Sequence, residues 1–297
     1  MFKDKDVICF LGDSITANGL WMAEVYQELR KKYKVKCYNI GVPGGRIFMA
    51  EKCLYSRCLS FNPDYVTVSF GINDVDHIYY ADKYEGLTEA ELKEKALEIY
   101  NESYESVIKK IIAFGAQPII CIPSPYDDVN EKQVEKKDTQ ERLDICIEFI
   151  RSLADKYNCP VVDFKSVMQP MLKERDVIRE DRVHPTDEGQ HIMAQTFLYD
   201  MGELSETDFD TPFEFEDWNK ARYDEEQKLR WFNFVEYCAF IDNWEAGKSA
   251  EEKKAAVLKA YEEFEDKTSG VAGAYRDYPV ILDTKESIME DIIRLTI

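Results

Sequence analysis

The sequence predicts an α/β fold of three layers, α/β/α, in which a parallel sheet of five strands precedes a helical C-terminal extension. Over the first 200 residues, short apolar runs alternate with longer helical patterns, as in a parallel sheet with helices on both faces. The runs are almost continuously hydrophobic, as expected for strands that are covered on both sides. Beyond residue 200 the alternation stops and the chain becomes more acidic.

Five apolar runs predict the strands, and four longer stretches predict the main helices. The strand runs are VICFL (7–11), VKCYNI (35–40), YVTVSF (65–70), PIICIP (118–123) and PVVDF (160–164). The helical stretches, with apolar residues at helical spacing, are 20–33, 88–115, 138–158 and 186–202. The second of these helices begins at a Thr-x-x-Glu capping box and ends at Gly115, two signals that mark helix ends. Together these elements predict a first domain of residues 1–202.

Residues 203–297 are predicted to form an acidic, mainly helical extension that packs on the first domain. From residue 200 onward the chain holds 25 acidic and 12 basic residues. The run WFNFVEYCAFIDNW (231–244) is too apolar to face water and shorter than the roughly 18 residues of a membrane span. We therefore expect this run to be buried against the first domain or a second copy of the chain, so the protein is a monomer or a homodimer.

Charge and cysteine content exclude several classes of protein. The net charge of −20 repels nucleic acids and anionic membranes. No stretch is apolar for long enough to span a membrane, and the N-terminus lacks the pattern of a signal peptide. The eight cysteines form no C-x-x-C pair, which favours reduced core residues in a cytoplasmic protein. Because the chain has only three histidines, we expect no metal site.

Residues with catalytic chemistry follow four of the five predicted strands. Ser14 comes after the first strand in GDSIT, and Gly44 after the second in NIGVPGG. Asn73 follows the third in GIND, and Asp181 and His184 follow the fifth in DRVHP, beyond a short loop and helix. Because ligands of parallel sheets sit at the carboxyl ends of the strands, we expect these residues to meet there. Ser14 alone would be an ordinary helix N-cap, but its partners favour a nucleophile.

These blocks resemble those of the SGNH hydrolase superfamily, also called the GDSL esterase/lipase family. The resemblance covers about residues 6–200 and leaves the C-terminal extension outside it; Ile15 stands where the family name implies leucine. It implies a flavodoxin-like fold, a serine esterase that forms an acyl-enzyme, and a small-molecule ester as substrate. No metal or organic cofactor is implied.

The resemblance also implies a catalytic triad of Ser14, His184 and Asp181, and oxyanion donors at Ser14, Gly44 and Asn73. The chemistry of these residue types is consistent with the roles that the resemblance implies. A serine hydroxyl needs a base within hydrogen-bond reach, and His184 can take its proton and return it to the leaving alcohol. The i, i+3 spacing lets Asp181 reach the other imidazole nitrogen. Two backbone N–H groups and one side-chain amide then suit the tetrahedral oxyanion.

Other polar residues near these blocks are expected to have structural roles. Asp13 and Asp74 adjoin Ser14 and Asn73, and we expect their carboxylates to tie loops together through backbone hydrogen bonds. His191 lies seven residues past His184 on a predicted helix, and we expect a surface or packed residue.

Three residues in the loops after the second and third strands are candidates for substrate binding, namely Tyr79, Tyr80 and Arg46. Tyrosine has an apolar face and a polar tip, which suits a polar organic substrate, and arginine suits a carboxylate. The sequence shows no long apolar lid near these loops, which argues against a lipase acting on aggregated fat. We therefore expect short acyl groups, such as acetyl, on a polar or carbohydrate alcohol. A lysophospholipase or thioesterase, an acyltransferase and a non-catalytic binding protein stay open as alternatives.

Overall fold

The computed structural model describes residues 1–81, 83–131 and 138–227, and its centre is a sheet of five parallel strands. The strands are β1 (Val7–Gly12), β2 (Lys36–Gly41), β3 (Tyr65–Ser69), β4 (Gln117–Ile122) and β5 (Val161–Asp163). They lie in the order β2-β1-β3-β4-β5, and every neighbouring pair is parallel. All carboxyl ends therefore meet at one edge of the sheet, and the predicted fold class is confirmed.

Helices of very different lengths connect these strands. Their bounds are α1 (Ser14–Asn18), α2 (Leu20–Lys32), α3 (Ile47–Lys52), α4 (Leu54–Arg57), α5 (Glu89–Phe114), α6 (Thr139–Tyr157), α7 (Phe164–Met168) and α8 (Asp187–Asp200). Helix α2 contacts α8, whereas α5 contacts α3 and α6. This grouping places one helical layer on each face of the sheet, as the alternation of strands and helices predicts.

The long helices follow the sequence pattern closely, whereas the short ones do not appear in it. The predicted stretches 20–33, 88–115, 138–158 and 186–202 correspond to α2, α5, α6 and α8. The capping box of α5 forms as expected, because Thr88 and Glu91 each accept a backbone hydrogen bond from the other. Gly115 ends the helix with a φ of 102°, a left-handed conformation that glycine adopts without strain. Helices of four to six residues, such as α3 and α4, are too short to show a period.

The core between β1, α2 and α8 is built around one tryptophan. Trp21 is fully buried, and its ring packs against Phe10, Phe164 and Phe197 at centroid distances of 5.1, 5.5 and 5.9 Å. Such edge-to-face and tilted pairs add to the free energy gained by burying apolar area. The seven cysteines of the described residues are all buried, as the sequence predicts for core residues.

The first part of the C-terminal extension lies against α2 and the edge strand β2. Residues 203–216 are not helical, and residues 217–227 form a helix. From this helix Asn219 donates to the Ala23 carbonyl at 2.8 Å, and Arg222 donates to the Cys37 carbonyl at 2.8 Å. Because β2 is an edge strand, this contact covers backbone that would otherwise face solvent. The apolar run at 231–244 lies outside the described residues, so the packing of the whole extension stays a prediction.

Within the described ranges, no helix combines the length and apolar composition that a membrane crossing needs.

Candidate active site

The turn after β1 presents Ser14 at the carboxyl edge of the sheet. A Cβ atom added to Gly12 would lie 2.2 Å from the Thr16 hydroxyl oxygen, so only glycine lets the end of β1 approach α1 this closely. Asp13 caps α1, because its carboxylate accepts a hydrogen bond from the Ile15 N–H at 2.9 Å. The order Gly-Asp-Ser therefore combines a close approach, a helix cap and an oxygen nucleophile.

Two hydrogen bonds join Ser14, His184 and Asp181 in a continuous chain. The Ser14 Oγ lies 2.7 Å from His184 Nε2, although the two residues are 170 positions apart in the sequence. The opposite ring nitrogen, Nδ1, lies 2.7 Å from the Asp181 Oδ2. Because a carboxylate only accepts hydrogen bonds, Nδ1 carries the proton, and Nε2 is left to accept from the serine hydroxyl. The structure thus brings together the three residues of the predicted triad.

Asp181 is held in its orientation by the turn that carries it. Its Oδ1 accepts the N–H groups of Val183 and His184 at 3.0 and 2.9 Å. Partial burial raises the pKa of Asp181, but these backbone N–H groups and the His184 ring outweigh it, so the pKa lies below its ordinary value. The carboxylate is therefore charged at neutral pH, and a charged carboxylate stabilises an imidazolium at His184.

The loop after β2 carries the glycines that the sequence singles out. Gly44 has a φ of 71°, in the left-handed region, and is exposed. The Asn73 side-chain amide, from the loop after β3, donates to the Gly45 carbonyl at 3.1 Å. This bond uses one of the two amide hydrogens and leaves the other for a ligand. A Cβ atom added to Gly45 would lie 3.7 Å from the Asp13 Cα, so this loop packs directly beside the serine turn.

Two buried carboxyl groups support the loops around the site, in the structural role that the sequence predicts. Asp74 Oδ1 accepts the Ile47 N–H at 2.8 Å, which fixes the start of α3. Burial raises the pKa of Asp74 to about 7 despite this hydrogen bond. Burial likewise raises the pKa of Asp13 to about 7, and the nearby charge of Asp74 adds to the effect.

The three candidate substrate-binding residues divide into two groups. Tyr80 is 2% exposed, and its ring packs against those of Phe48, Tyr79 and Tyr84, so no substrate contact is assigned to it. Arg46 and Tyr79 are partly exposed, and the Arg46 guanidinium carbon lies 3.7 Å from the centre of the Tyr79 ring. The structure therefore corrects the expectation for Tyr80, because ring packing within the loop turns this side chain inward.

The structure adds two residues to this region that the sequence analysis did not single out. Gly45 is the acceptor for Asn73, and the double glycine in NIGVPGG was its only signal. Lys83 donates to the Tyr79 hydroxyl at 3.2 Å, and its ammonium lies 4.7 Å from the Tyr79 ring centre. In the described part of the chain, no three His, Cys, Asp or Glu side chains group as metal ligands would.

Known proteins are similar to this chain in sequence and in fold. The model of the family described as GDSL-like lipase/acylhydrolase matches residues 8–197. An acetylxylan esterase of Geobacillus stearothermophilus is 22% identical over 218 residues, which are 66% of this chain and 93% of that protein. The crystal structure of Axe2, an acetylxylan esterase from the same species, superposes with a TM-score of 0.56 at 21% identity, covering 67% of this chain and 95% of that one.

A second solved structure, that of a gut microbial diltiazem-metabolizing enzyme, has a TM-score of 0.60 at 24% identity. It covers 68% of this chain, which spans about half of that enzyme's length, 48%. These structural matches show a common fold. The family match runs from the second residue of β1 through β5 and includes Ser14, Asp181 and His184. The protein therefore belongs to the GDSL-like lipase/acylhydrolase family and is a carboxylic ester hydrolase.

Proposed function

We propose that the protein is a serine esterase that removes short acyl groups, acetyl foremost, from a polar or carbohydrate alcohol. The observation that carries the mechanism is the chain of two 2.7 Å hydrogen bonds from Ser14 through His184 to Asp181. It gives a weak nucleophile an adjacent base, and it gives that base a fixed tautomer.

In the acylation step, the Ser14 Oγ attacks the ester carbonyl carbon while His184 Nε2 takes the hydroxyl proton. The negative charge on the carbonyl oxygen is stabilised by the backbone N–H groups of Ser14 and Gly44 and by the Asn73 amide. The C–O bond to the alcohol then breaks, and the alcohol leaves with the proton from His184. The product of this step is an ester between the acyl group and Ser14.

In the deacylation step, water attacks the acyl-serine carbonyl and His184 takes one of its protons. Collapse of the second tetrahedral intermediate releases the carboxylic acid and returns the proton to Ser14. Asp181 stays ionised in both steps and stabilises the imidazolium that forms twice per turnover. Every proton is moved by His184, so the described residues account for the reaction.

Two observations support a short acyl group on a polar alcohol. The loops after β2 and β3 carry partly exposed polar and amphipathic side chains, Asn73, Arg46 and Tyr79. The curated relative is an acetylxylan esterase, so its alcohol component is a carbohydrate. The cytoplasmic location rests on the sequence alone.

The proposal is tested with p-nitrophenyl acetate, butyrate and octanoate beside an acetylated xylo-oligosaccharide. We expect kcat/KM to fall as the acyl chain lengthens, and the acetylated sugar to be hydrolysed. Turnover that rises with chain length would indicate a lysophospholipase or thioesterase instead. Transfer of acetyl to an added sugar, in place of hydrolysis, would indicate an acyltransferase.

A fluorophosphonate probe tests whether the serine is a nucleophile at all. We expect one label per chain in the wild-type protein and none in Ser14→Ala, because only an activated serine reacts with the probe. A wild-type protein that takes no label would be a non-catalytic binding protein.

A further inference from the structure

Arg46 lies near one carboxyl group, the buried Asp74, whose charge acts on it at a longer range than a salt bridge. The chain has 58 acidic and 38 basic residues, so acidic partners are plentiful. Five arginines each lie within salt-bridge distance of a carboxylate, namely Arg142, Arg151, Arg175, Arg179 and Arg222. Across the described residues, Arg46 has no such pair. Its Nε atom is buried without a hydrogen-bond partner.

The position of Arg46 connects it to the candidate active site. It lies two residues after Gly44, and it adjoins Gly45, whose carbonyl accepts the Asn73 amide at 3.1 Å. On its other side, the Ile47 N–H is held by the buried Asp74 carboxyl at 2.8 Å. The backbone of Arg46 is therefore fixed from both sides, next to the proposed oxyanion donors.

The guanidinium group of Arg46 is also fixed in position, by a contact with the Tyr79 ring. It lies over the face of Tyr79 at 3.7 Å, a close cation–π contact that limits its rotation. The Lys83 ammonium lies 4.7 Å from the same ring and donates to the Tyr79 hydroxyl. Two positive charges therefore lie against one aromatic ring, in the loops that follow β2 and β3.

We infer that Arg46, supported by Tyr79 and Lys83, binds a carboxylate on the alcohol part of the substrate. This inference rests on the proposed function and makes it narrower: the natural substrate is an acyl ester of an acidic alcohol, such as an acetylated uronic acid. A planar guanidinium binds a carboxylate through two parallel hydrogen bonds, which orients the alcohol as well as attracting it. The net charge of −20 repels anionic molecules from the protein as a whole. A local positive site at Arg46 offsets this repulsion and favours an anionic ester over a neutral one.

The test compares acetylated glucuronic acid with acetylated glucose, which differ in the carboxylate. We expect the wild-type enzyme to prefer the anionic ester. In Arg46→Gln, the ratio of the two kcat/KM values falls by about tenfold to a hundredfold, as for the loss of a hydrogen bond to a charged group. Arg46→Lys retains the charge without the planar fork, so it restores part of the ratio.

Arg30→Gln is the matched control, because it removes one positive charge at the end of α2, away from the carboxyl edge of the sheet. It leaves the ratio unchanged. A ratio that is equally unchanged in Arg46→Gln, or a wild-type preference for acetylated glucose, overturns the inference while the proposed esterase function stands.

A binding measurement separates the inference from the proposed function. If the wild-type enzyme hydrolyses neither sugar ester, the proposed function fails, and calorimetric titration of the Ser14→Ala protein still decides the inference. We expect free glucuronate to bind more tightly than glucose, and Arg46→Gln in the same background to remove the difference. Equal binding of the two sugars overturns the inference.

Discussion

The molecule contains two histidine–carboxylate pairs of almost equal length that lie in very different surroundings. His184 Nδ1 is 2.7 Å from Asp181, and His191 Nδ1 is 2.8 Å from Glu24. The side chains of the first pair are 39% and 48% exposed, whereas those of the second are 10% and 2% exposed. Only the second ring nitrogen distinguishes their chemistry, because His184 Nε2 faces a serine hydroxyl and His191 Nε2 faces the Asp208 carbonyl at 2.8 Å.

The partner of the second nitrogen decides whether that nitrogen donates or accepts a hydrogen bond. A carboxylate and a carbonyl both only accept hydrogen bonds, so both contacts of His191 are hydrogen bonds only when each ring nitrogen carries a proton, as in an imidazolium. Burial lowers the pKa of His191, but the hydrogen bond and charge of Glu24 and the Asp208 carbonyl raise it above its ordinary value. A serine hydroxyl donates as well as accepts, so His184 keeps an acceptor nitrogen for Ser14. A base needs that free lone pair, which His191 lacks.

The two pairs also connect different parts of the chain. His184 lies three residues before α8 and contacts Ser14 at the carboxyl edge of the sheet. His191 lies within α8 and joins it to α2 through Glu24 and to the start of the C-terminal extension through Asp208. The same pair of residue types therefore serves the proposed proton transfer in one place and packing in the other.

Removing the proposed nucleophile or base has the largest expected effect. Ser14→Ala and His184→Ala each lower kcat by about 10⁶-fold, because each eliminates the activated oxygen on which acylation depends. His191→Gln is the matched control, and its kcat stays within a few-fold of the wild type. The measurement is hydrolysis of p-nitrophenyl acetate at pH 7. A loss in His191→Gln as large as that in His184→Ala would break the distinction between the two pairs.

The sequence predicts both residues of the His184–Asp181 pair, but it does not predict the partner of His191. Ser14 and His184 are found because each follows a predicted strand or helix, and parallel strands end at one edge. For His191 the sequence leaves a surface and a packed position open, and its partner Glu24 lies 167 positions away on another helix. No local pattern connects the two, since both residue types are also common on helix surfaces.

Other differences between sequence and structure have the same origin in tertiary packing. Tyr79 and Tyr80 are adjacent and chemically identical, and both contact Phe48, yet Tyr79 stays partly exposed and Tyr80 is buried. The direction of each ring depends on the tertiary contacts of the folded loop, which no local sequence pattern shows. The strands and long helices are predictable because their apolar period is a local property.

Neutralising the two carboxylates sharpens the comparison further. Asp181→Asn lowers kcat by about 10³-fold to 10⁴-fold, because the amide no longer fixes the His184 tautomer or stabilises the imidazolium. Glu24→Gln leaves kcat within a few-fold, since its histidine moves no proton. Steady-state kinetics on the two variants measure this difference directly. A large kcat loss in Glu24→Gln would mean that the buried pair also controls the site.

The order of effects reverses when stability is measured instead of activity. His191→Gln lowers the free energy of unfolding by about 3 kcal/mol, because it leaves the buried Glu24 carboxylate without its charged partner. His184→Gln changes it by less than about 1 kcal/mol, as is usual for an exposed ion pair. Urea unfolding at pH 6 compares the two variants. Equal losses of stability would show that burial does not separate the pairs.

The smallest expected effect is the pH dependence of this stability difference. The folded pKa of His191 lies above its unfolded value of about 6.5, so its contribution is complete below that pH and is lost as pH rises through the folded pKa. The slope for one proton is at most about 1.4 kcal/mol per pH unit.

Asp13 and Asp74, with folded pKa values of about 7, also make stability fall as pH rises, between about 4 and 7. Both the wild type and His191→Gln retain these carboxyl groups, so the difference in unfolding free energy between the two proteins isolates the histidine. Urea titrations from pH 6 to 9 should show this difference shrinking; a constant difference would mean that the buried ring carries no charge.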